Sequence, residues 1–487
     1  MSVEIKSKLN SSFKFLFVVS LMFVLLSLIV CVFVPNVEGQ SIISVGTESE
    51  LRDAVNNAAA NVPVVIALNR DIEIKGTLYV VDKRNITLTS NTNVETFRLF
   101  ATGDSFTIAL MNGGSMKLDG IIISHGKDDR GSGVYVDRGC TLHLTAGRLS
   151  GNSDGVTLGG GNFIMSGGEI SDNSGCGVSI NDDRSSFVMT GGKISGNQNG
   201  GVYNTGVFSM SDGEISNNKC PNGDGGGVRN SGGSFTMSGG TISGNSAIQG
   251  GGVATFATTF TDLGIFTLTG GKIFGNTASW GGGVCIGGSV FVMSGGEISG
   301  NEAGRGGGVC NSGGSFTMSK GVISNNKATY ADGGGVYSSG TVELSGGTIS
   351  NNNAVASGGG VWVAVENLDK LFVREGVVFS NNRASEAYDR NPIHDEVYRL
   401  HVDHRVTWTS PFTQGYNNYD ISYINDTPTS PAPSDPAYSP NPSILPSGSV
   451  PSDNDGVSSF GVIIFIIALV LIVGVVVGGL FFYFKKK

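Results

Sequence analysis

The sequence is poor in charge and in helical pattern. Charged residues are 15% of its 487 residues, where about 25% is typical of soluble domains. Few stretches are rich in helix formers, and the middle of the chain has no apolar period of 3.6 residues. These absences argue against a string of ordinary globular domains, although the length alone would allow several.

Basic clusters and paired cysteines are also missing. The net charge is −9 and no basic stripe occurs, so nucleic acid is not expected as a partner. The cysteines that follow residue 39 form no CxxC pair and no zinc spacing, and an odd number of them cannot all pair. We interpret them as small apolar core residues: Cys140, Cys176, Cys220, Cys285 and Cys310.

No catalytic constellation can be assembled from the acids and histidines. The Asp128-Asp129 and Asp182-Asp183 pairs are not followed by Gly-His-Gly and are interpreted as solvated turns. The other acids between repeats do not share one repeat position, which argues against a stacked site: Asp154, Asp172, Asp212 and Asp224. The histidines give no Ser/His/Asp grouping. We therefore expect no catalytic residues, no metal and no cofactor.

Glycine is abundant, with 76 residues, and a short phrase recurs. FVMSGGEISGN, which begins at Phe291, is one of eight variants. A fixed asparagine, or a relative of it, closes each repeat: Asn152, Asn173, Asn197, Asn218, Asn245, Asn276, Asn301, Asn326, Asn352 and Asn382. A second phrase, GGGV, stands between the asparagines. Because such a unit cannot bury its own apolar face, it must stack on its neighbours.

The repeat predicts a parallel β-helix of about twelve coils, a coil being one turn of the chain. Each coil would hold three short strands, Phe-x-Met, then Ile-Ser, then the Val that follows the glycines. Identical side chains would then stack at about 4.8 Å. The asparagines would occupy left-handed turns and form a hydrogen-bonded ladder. The residue before the inward Ile should point outward, and opposite charges alternate there, as in Lys272 and Glu297.

The chain divides into seven segments. Residues 1–39 read as a secretory signal, or else an uncleaved anchor. Residues 40–100 hold an N-terminal cap and the first coils, with Thr47 and Glu50 spaced as the capping box of a helix from Glu48 to about Ala60. Residues 101–384 are the repeats and 385–426 a C-terminal cap. A Pro/Ser-rich stalk (427–459) leads to a transmembrane helix (460–484) and a cytoplasmic lysine tail (485–487).

The GGGV and FxxN or IxxN phrases resemble the repeats of chlamydial polymorphic outer membrane proteins. More broadly, residues 45–426 resemble adhesin-like surface proteins of the pectin-lyase fold. The resemblance implies a single-stranded right-handed parallel β-helix and an adhesive or surface role. The chlamydial proteins end in an outer-membrane barrel, whereas this chain ends in one apolar run and three lysines. Secretion through such a barrel is therefore not expected.

Variable loops between each asparagine and the next GGGV are the candidate ligand site. They would project at one corner of successive coils, with Trp280, Arg305, Tyr330 and Asp332 roughly in file. Aromatic rings with arginine suit sugar or protein contact, although tolerated insertions are the simpler alternative. Asn85 and Asn425 begin glycosylation sequons, whose use depends on the host.

The sequence thus predicts a membrane-anchored, extracellular, adhesin-like protein. It would bind cells, matrix, glycans or surface proteins, or form part of a coat. The alternative is a surface polysaccharide lyase or glycoside hydrolase, because the same fold class also houses enzymes. Stacked carboxylates on one face would favour the enzyme. Oligomeric state is left open.

Overall fold

We analysed a computed structural model of the chain. The structure describes residues 42–90, 96–103, 105–125, 131–259, 262–364, 367, 370–374, 376–385 and 421–422. The predicted signal, stalk, transmembrane helix, lysine tail and Asn425 lie outside the described residues, as does most of the C-terminal cap. Within the described ranges, no helix is long and apolar enough to cross a bilayer.

The described chain is an all-β parallel solenoid, as the repeats predict, and it has about 13 turns where about twelve coils were expected. It is of the right-handed type, which the resemblance implies. Three sheets run along it. Sheet 1 has 21 strands, with two strands or one long bent strand from most coils: β1 (Ile42–Val45), β2 (Pro63–Leu68), β3 (Ile72–Lys75), β5 (Asn85–Ser90), β6 (Arg98–Thr102), β8 (Ser115–His125), β10 (Thr141–Ser150), β12 (Asn162–Met165), β13 (Glu169–Ser171), β15 (Ser186–Ser195), β17 (Val207–Ser216), β20 (Ser234–Met237), β21 (Thr241–Ser243), β24 (Ile265–Leu268), β25 (Lys272–Phe274), β28 (Val290–Ser299), β31 (Ser315–Ser324), β34 (Thr341–Leu344), β35 (Gly347–Ser350), β38 (Leu371–Val373) and β39 (Val377–Ser380).

The other two sheets stack in chain order. Sheet 2 contains the strands that follow the glycines: β4 (Leu78–Val80), β7 (Ile108–Leu110), β9 (Val134–Asp137), β11 (Val156–Gly159), β14 (Val178–Ile180), β16 (Val202–Asn204), β19 (Val228–Ser231), β23 (Val253–Phe256), β27 (Val284–Gly287), β30 (Val309–Ser312), β33 (Val336–Ser338), β37 (Val361–Val363) and β41 (Ile421–Ser422). Sheet 3 is shorter: β18 (Lys219–Asp224), β22 (Ser246–Gln249), β26 (Thr277–Trp280), β29 (Glu302–Arg305), β32 (Lys327–Ala328), β36 (Asn353–Ala354) and β40 (Arg383–Ala384).

The repeated side chains stack in register and fill the core. Phe266 pairs with Phe291, and Phe291 with Phe316, on neighbouring strands of sheet 1. The rings from Phe163 to Phe316 are stacked with centroids 4.6–5.0 Å apart, and all of them are fully buried. One phrase per coil therefore produces a continuous apolar column, because the parallel register repeats at the strand spacing.

The last glycine of GGGV is required by a close approach. A Cβ on Gly227 would lie 2.5 Å from the carbonyl oxygen of Gly252 and 2.7 Å from the Cγ2 of Ile242. Any side chain at this position would collide with the backbone of the next coil and with the core. This explains why the glycine stands immediately before the inward valine in each repeat.

The asparagines form the predicted hydrogen-bonded column, which we call the Asn ladder (Asn152 to Asn382, the ten residues given above). The Asn276 side chain donates to Asn301 Oδ1 at 3.0 Å and to the Ile242 carbonyl at 3.0 Å. Its own Oδ1 accepts from the backbone and side-chain amides of Asn245. The ladder residues are 0–5% exposed, so the column satisfies amide groups that have no access to water.

One expectation about these asparagines is wrong. No ladder asparagine is among the described residues of positive φ; the residue immediately before it is left-handed instead. Asn217 (φ 55°) precedes Asn218, and Gly300 (φ 60°) precedes Asn301. The physical reason is that the turn and the inward hydrogen bonds are made by two different residues. The left-handed residue turns the chain, and the ladder asparagine then points inward to its neighbours.

The outward charges alternate as predicted. Lys193 and Glu214 are paired in register with a 3.1 Å ion pair, and Lys272 and Glu297 are related in the same way. These side chains are at most half-buried and remain in contact with solvent, so each pair contributes little to stability. The pattern does avoid like charges about 5 Å apart.

The described chain begins with β1 and one helix, α1 (Glu48–Asn56). The predicted capping box between Thr47 and Glu50 is present. Leu51 and Val55 of α1 are fully buried and belong to the same core cluster as the coils. Hydrogen bonds from the Arg52 side chain to carbonyl groups of residues 75–77 hold the helix against the first coils.

Candidate functional site

The segments predicted as variable loops are mostly strands. SAIQ, TASW and EAGR are β22, β26 and β29 of sheet 3. The loop prediction was wrong because these three segments have equal length and lie beside one another on successive coils, so parallel pairing satisfies their backbone groups. Trp280 pairs in register with Arg305. Trp280 and Arg305 are therefore on a sheet face, which holds their side chains more firmly than a loop would, whereas Tyr330 and Asp332 follow the short strand β32.

A groove of about 530 Å³ lies on this face. We call it the Trp280 groove, and its lining consists of Thr277, Ala278, Ser279, Trp280, Glu302, Ala303, Gly304, Arg305, Thr329, Tyr330 and Ala331. Three of the four predicted ligand residues, Trp280, Arg305 and Tyr330, therefore line one groove. Asp332 is not among the lining residues, and its carboxylate accepts a hydrogen bond from the Ser357 amide at 3.0 Å.

The groove is open because its floor is made of small residues. Gly304 lies between Ser279 and Tyr330, and a Cβ there would be 2.8 Å from the Ser279 carbonyl oxygen. The Tyr330 amide approaches the Gly304 carbonyl at 3.3 Å, so Tyr330 is aligned with Gly304 and not with Arg305. Tyr330 is 85% exposed and Trp280 37% exposed. Two aromatic side chains thus stand beside a shallow polar floor.

Arg305 is held between aromatic rings. Its guanidinium carbon lies 5.2 Å from the Trp280 ring centroid and 5.7 Å from that of Tyr337. Tyr337 in turn stacks on Trp362 at 4.6 Å. Cation–π contact of this kind orients a guanidinium without neutralising it. Tyr337 and Trp362 were not predicted as site residues, although both directly follow the GGGV valine and so share one register position of sheet 2.

Two cysteines lie beside Arg305. Cys285 and Cys310 are neighbours in register in sheet 2 and are both fully buried. A hydrogen bond from the Cys285 thiol lowers the pKa of Cys310, with help from Ser312 and Arg305. The same contact, together with burial, raises the pKa of Cys285. All five described cysteines are buried and unbridged, but only Cys140 belongs to the main core cluster.

A second hollow, of about 330 Å³, collects acids that the sequence did not bring together. We call it the Asp154 hollow, and its lining consists of Asp154, Cys176, Ser179, Asn199, Val202, Tyr203, Cys220, Asp224 and Arg229. Burial raises the pKa of the Asp154 carboxyl, although Ser179 and the Cys176 amide both donate to it. Burial also raises the pKa of the Cys176 thiol to about 12, which keeps that thiol protonated and unreactive.

Asp154 and Asp224 line the same hollow, although they do not occupy one repeat position. Asp154 lies in the bend before β11 and Asp224 at the end of β18, so their backbones are three coils apart, or about 14 Å along the axis at the usual strand spacing. Paired carboxylates of an inverting glycosidase are about 6.5–9.5 Å apart. Among the described residues, no group of three or more His, Cys, Asp or Glu side chains could hold a metal.

No family model, curated protein or solved structure matches the chain. The parallel solenoid therefore rests on its own geometry. The resemblance to adhesin-like proteins extends only as far as the repeat phrases do.

Two further polar residues can be placed. Asn85, the described sequon asparagine, begins β5 and is half-buried between Pro63 and Ser115 in register. His125, isolated in the sequence, is buried, and its Nδ1 lies 3.1 Å from Oδ1 of Asn152, the first residue of the Asn ladder. Neither residue borders the Trp280 groove.

Proposed function

We propose that the chain is a membrane-anchored, adhesin-like surface protein whose solenoid binds glycans through the Trp280 groove. The observation that carries this proposal is the pair of exposed aromatic side chains that line one groove, Trp280 on strand β26 and Tyr330 just after strand β32. Flat rings suit the apolar faces of pyranose sugars, and threonine, serine and glutamate offer hydrogen bonds to hydroxyl groups. A surface protein would be a second ligand of the same residues.

The surface location is supported by the sequence. A basic N-terminus followed by an apolar run directs export, and the apolar run at 460–484 before three lysines suits a single membrane anchor. We further propose that α1 covers the N-terminal end of the core and that residues 385–426 cover the other end. Covering both ends would protect the open sheet edges from pairing with other chains.

The test uses the full-length chain in detergent micelles with a panel of polysaccharides and host-type glycans. Both retention of the glycan and its chain length afterwards are measured. We expect retention with unchanged length. Tyr330→Ala should weaken binding by about tenfold or more, since losing an interface anchor costs roughly 1–2 kcal/mol. Tyr79→Ala is the matched control, because Tyr79 is also exposed, at 52%, but lies on sheet 2 in the first coils.

If the glycan chains are shortened, the chain is an enzyme and not only an adhesin. Mutagenesis would then begin with the acids of the Asp154 hollow. Retention that Tyr330→Ala and Tyr79→Ala weaken equally would place the binding surface elsewhere. If no glycan is retained, the glycan proposal fails, and a protein ligand or a structural role in the coat becomes the better account.

A further inference from the structure

The charge of the Trp280 groove is unbalanced. Glu302 is the one acid in the groove lining, and its carboxylate lies 3.7 Å from the Lys327 ammonium. Arg305, the one base in the lining, takes part in none of the ion pairs found among the described residues. Within the groove, Glu302 is therefore paired with a nearby lysine, whereas the guanidinium of Arg305 has no carboxylate paired with it among the described residues.

The position of Arg305 makes that charge available to a ligand. The Trp280 and Tyr337 rings orient the guanidinium of Arg305. Cys310, a nearby residue of sheet 2, is fully buried. Contact with two rings restricts the Arg305 side chain, so less conformational entropy is lost when a ligand binds. An oriented guanidinium accepts an anion through two parallel N–H···O bonds, which a hydroxyl group cannot match.

The rest of the molecule argues against a general attraction for anions. The chain has a net charge of −9 and a pI of about 5.1, so long-range electrostatics would repel a polyanion. Asp332, in the coil that follows Arg305, is engaged with the Ser357 amide. Any retention of a polyanion would therefore require specific local contacts, and the Trp280 groove brings a base and exposed aromatic rings together.

We infer that the Trp280 groove selects acidic glycans, with the Arg305 guanidinium binding the carboxylate or sulfate of a sugar that stacks on Trp280 and Tyr330. This inference rests on the proposed function and specifies its ligand class. Carboxylate and sulfate present the same oxygen pair to a guanidinium, so both sources are tested.

The experiment compares each acidic polysaccharide with its neutral form. The full-length chain in micelles is titrated with polygalacturonate and with its fully methyl-esterified form, then with a sulfated glycosaminoglycan and its desulfated form. We expect at least about tenfold tighter binding of one acidic form than of its neutral counterpart, because charge-assisted bidentate hydrogen bonds are lost on neutralisation. Whichever pair shows the difference identifies the anion.

Two variants locate the effect. Arg305→Gln should remove the preference, leaving the acidic and neutral forms bound alike, and Arg305→Lys should restore only part of it. Arg374→Gln is the matched control. It removes the same charge from an exposed arginine that directly follows strand β38 and pairs with Glu343 at 3.1 Å, and it should leave the preference unchanged.

The outcomes are distinguishable. If wild type binds the neutral and acidic forms equally, the inference fails while glycan binding stands. If Arg374→Gln weakens acidic binding as much as Arg305→Gln does, the preference is a bulk charge effect and the inference fails again. If neither form is retained, the proposed function and the inference fall together.

Discussion

Each asparagine within the Asn ladder uses its whole side-chain amide in contacts between coils. The Oδ1 of Asn276 accepts two hydrogen bonds from Asn245, and its Nδ2 donates to Ile242 and Asn301. Serine or threonine could not replace it, since a hydroxyl cannot both donate twice and accept twice at this reach. The amide also forms a continuous chain of polarised bonds, which strengthens each member.

Asn276→Ala is expected to lower the free energy of unfolding by about 3 kcal/mol or more. The substitution removes four hydrogen bonds and leaves the buried backbone and side-chain donors of Asn245 without this acceptor. Urea unfolding followed by circular dichroism measures the change. Asn353→Ala is the control, since Asn353 is exposed on sheet 3, and it should cost little. Equal losses in the two variants would contradict a special role for the ladder.

Asp154 gives the stability a pH dependence of known sign. Because burial raises the pKa of its carboxyl above the unfolded value, its contribution is fully present below the unfolded pKa and is lost as pH rises through the folded pKa. Asp154→Asn removes the charge and keeps one acceptor oxygen for the Cys176 amide, while the asparagine NH2 group can donate to the Ser179 hydroxyl in place of the bond that this hydroxyl now donates. We therefore expect the variant to gain stability relative to wild type as pH rises from about 3.5 to 7.

Urea midpoints of both proteins across that pH range measure this difference, and groups common to both cancel. A difference that does not change with pH would show that the Asp154 carboxyl titrates alike in the folded and unfolded chains. A difference that shrinks with rising pH would reverse the assigned sign.

At the scale of the element, glycine serves two separate purposes at two different positions of the repeat. Gly227 is needed because the next coil passes too close for a side chain, whereas Gly300 is needed for its left-handed φ of 60° and faces open space. Other coils place asparagine at the position of Gly300, as at Asn217 and Asn325, both with φ near 55°. The two uses predict opposite tolerance to substitution.

Gly227→Ala should destabilise the solenoid by more than about 2 kcal/mol, since the added methyl group must displace backbone or core atoms. Gly300→Asn should be nearly neutral, because asparagine adopts the left-handed conformation readily. Thermal unfolding of the two variants beside wild type measures both effects. A neutral Gly227→Ala would mean that neighbouring coils can separate locally at little cost.

The repeat phrases predicted the strands of sheets 1 and 2 but not those of sheet 3. In sheets 1 and 2 the inward residues are large and fixed, as in Phe291 and Val309, so the period is visible in one sequence. In sheet 3 the inward residues are small, such as Ala278 and Ala303, and the intervening residues vary. Such a segment becomes a strand because the neighbouring coils hold it in register, which local pattern does not show.

At the scale of the whole molecule, a solenoid is nearly a one-dimensional stack in which each coil contacts only its neighbours. Residues 186–206 form one coil, since Ser186 lies in register between Asn162 and Val207. Their removal would place Phe208 over Phe163 and Asn218 over Asn173. A shorter deletion of residues 186–195 would instead break the register of every column that it enters.

Deletion of residues 186–206 should therefore leave a folded protein with unchanged glycan binding, because the Trp280 groove lies in later coils. Deletion of residues 186–195 should abolish cooperative unfolding. Circular dichroism and the retention assay measure the two outcomes. Loss of folding in the whole-coil deletion, with the shorter deletion no worse, would contradict the independence of the coils.

The sequence by itself determined the solenoid, since one phrase per coil fixes which side chains stack, which glycines allow close approach and which charges alternate. It also pointed to Trp280, Arg305 and Tyr330. Only the tertiary structure placed Tyr337 beside Arg305 and Asp154 in one hollow with Asp224. These residues come from different strands and coils, and the unequal lengths of the connecting segments decide which of them meet.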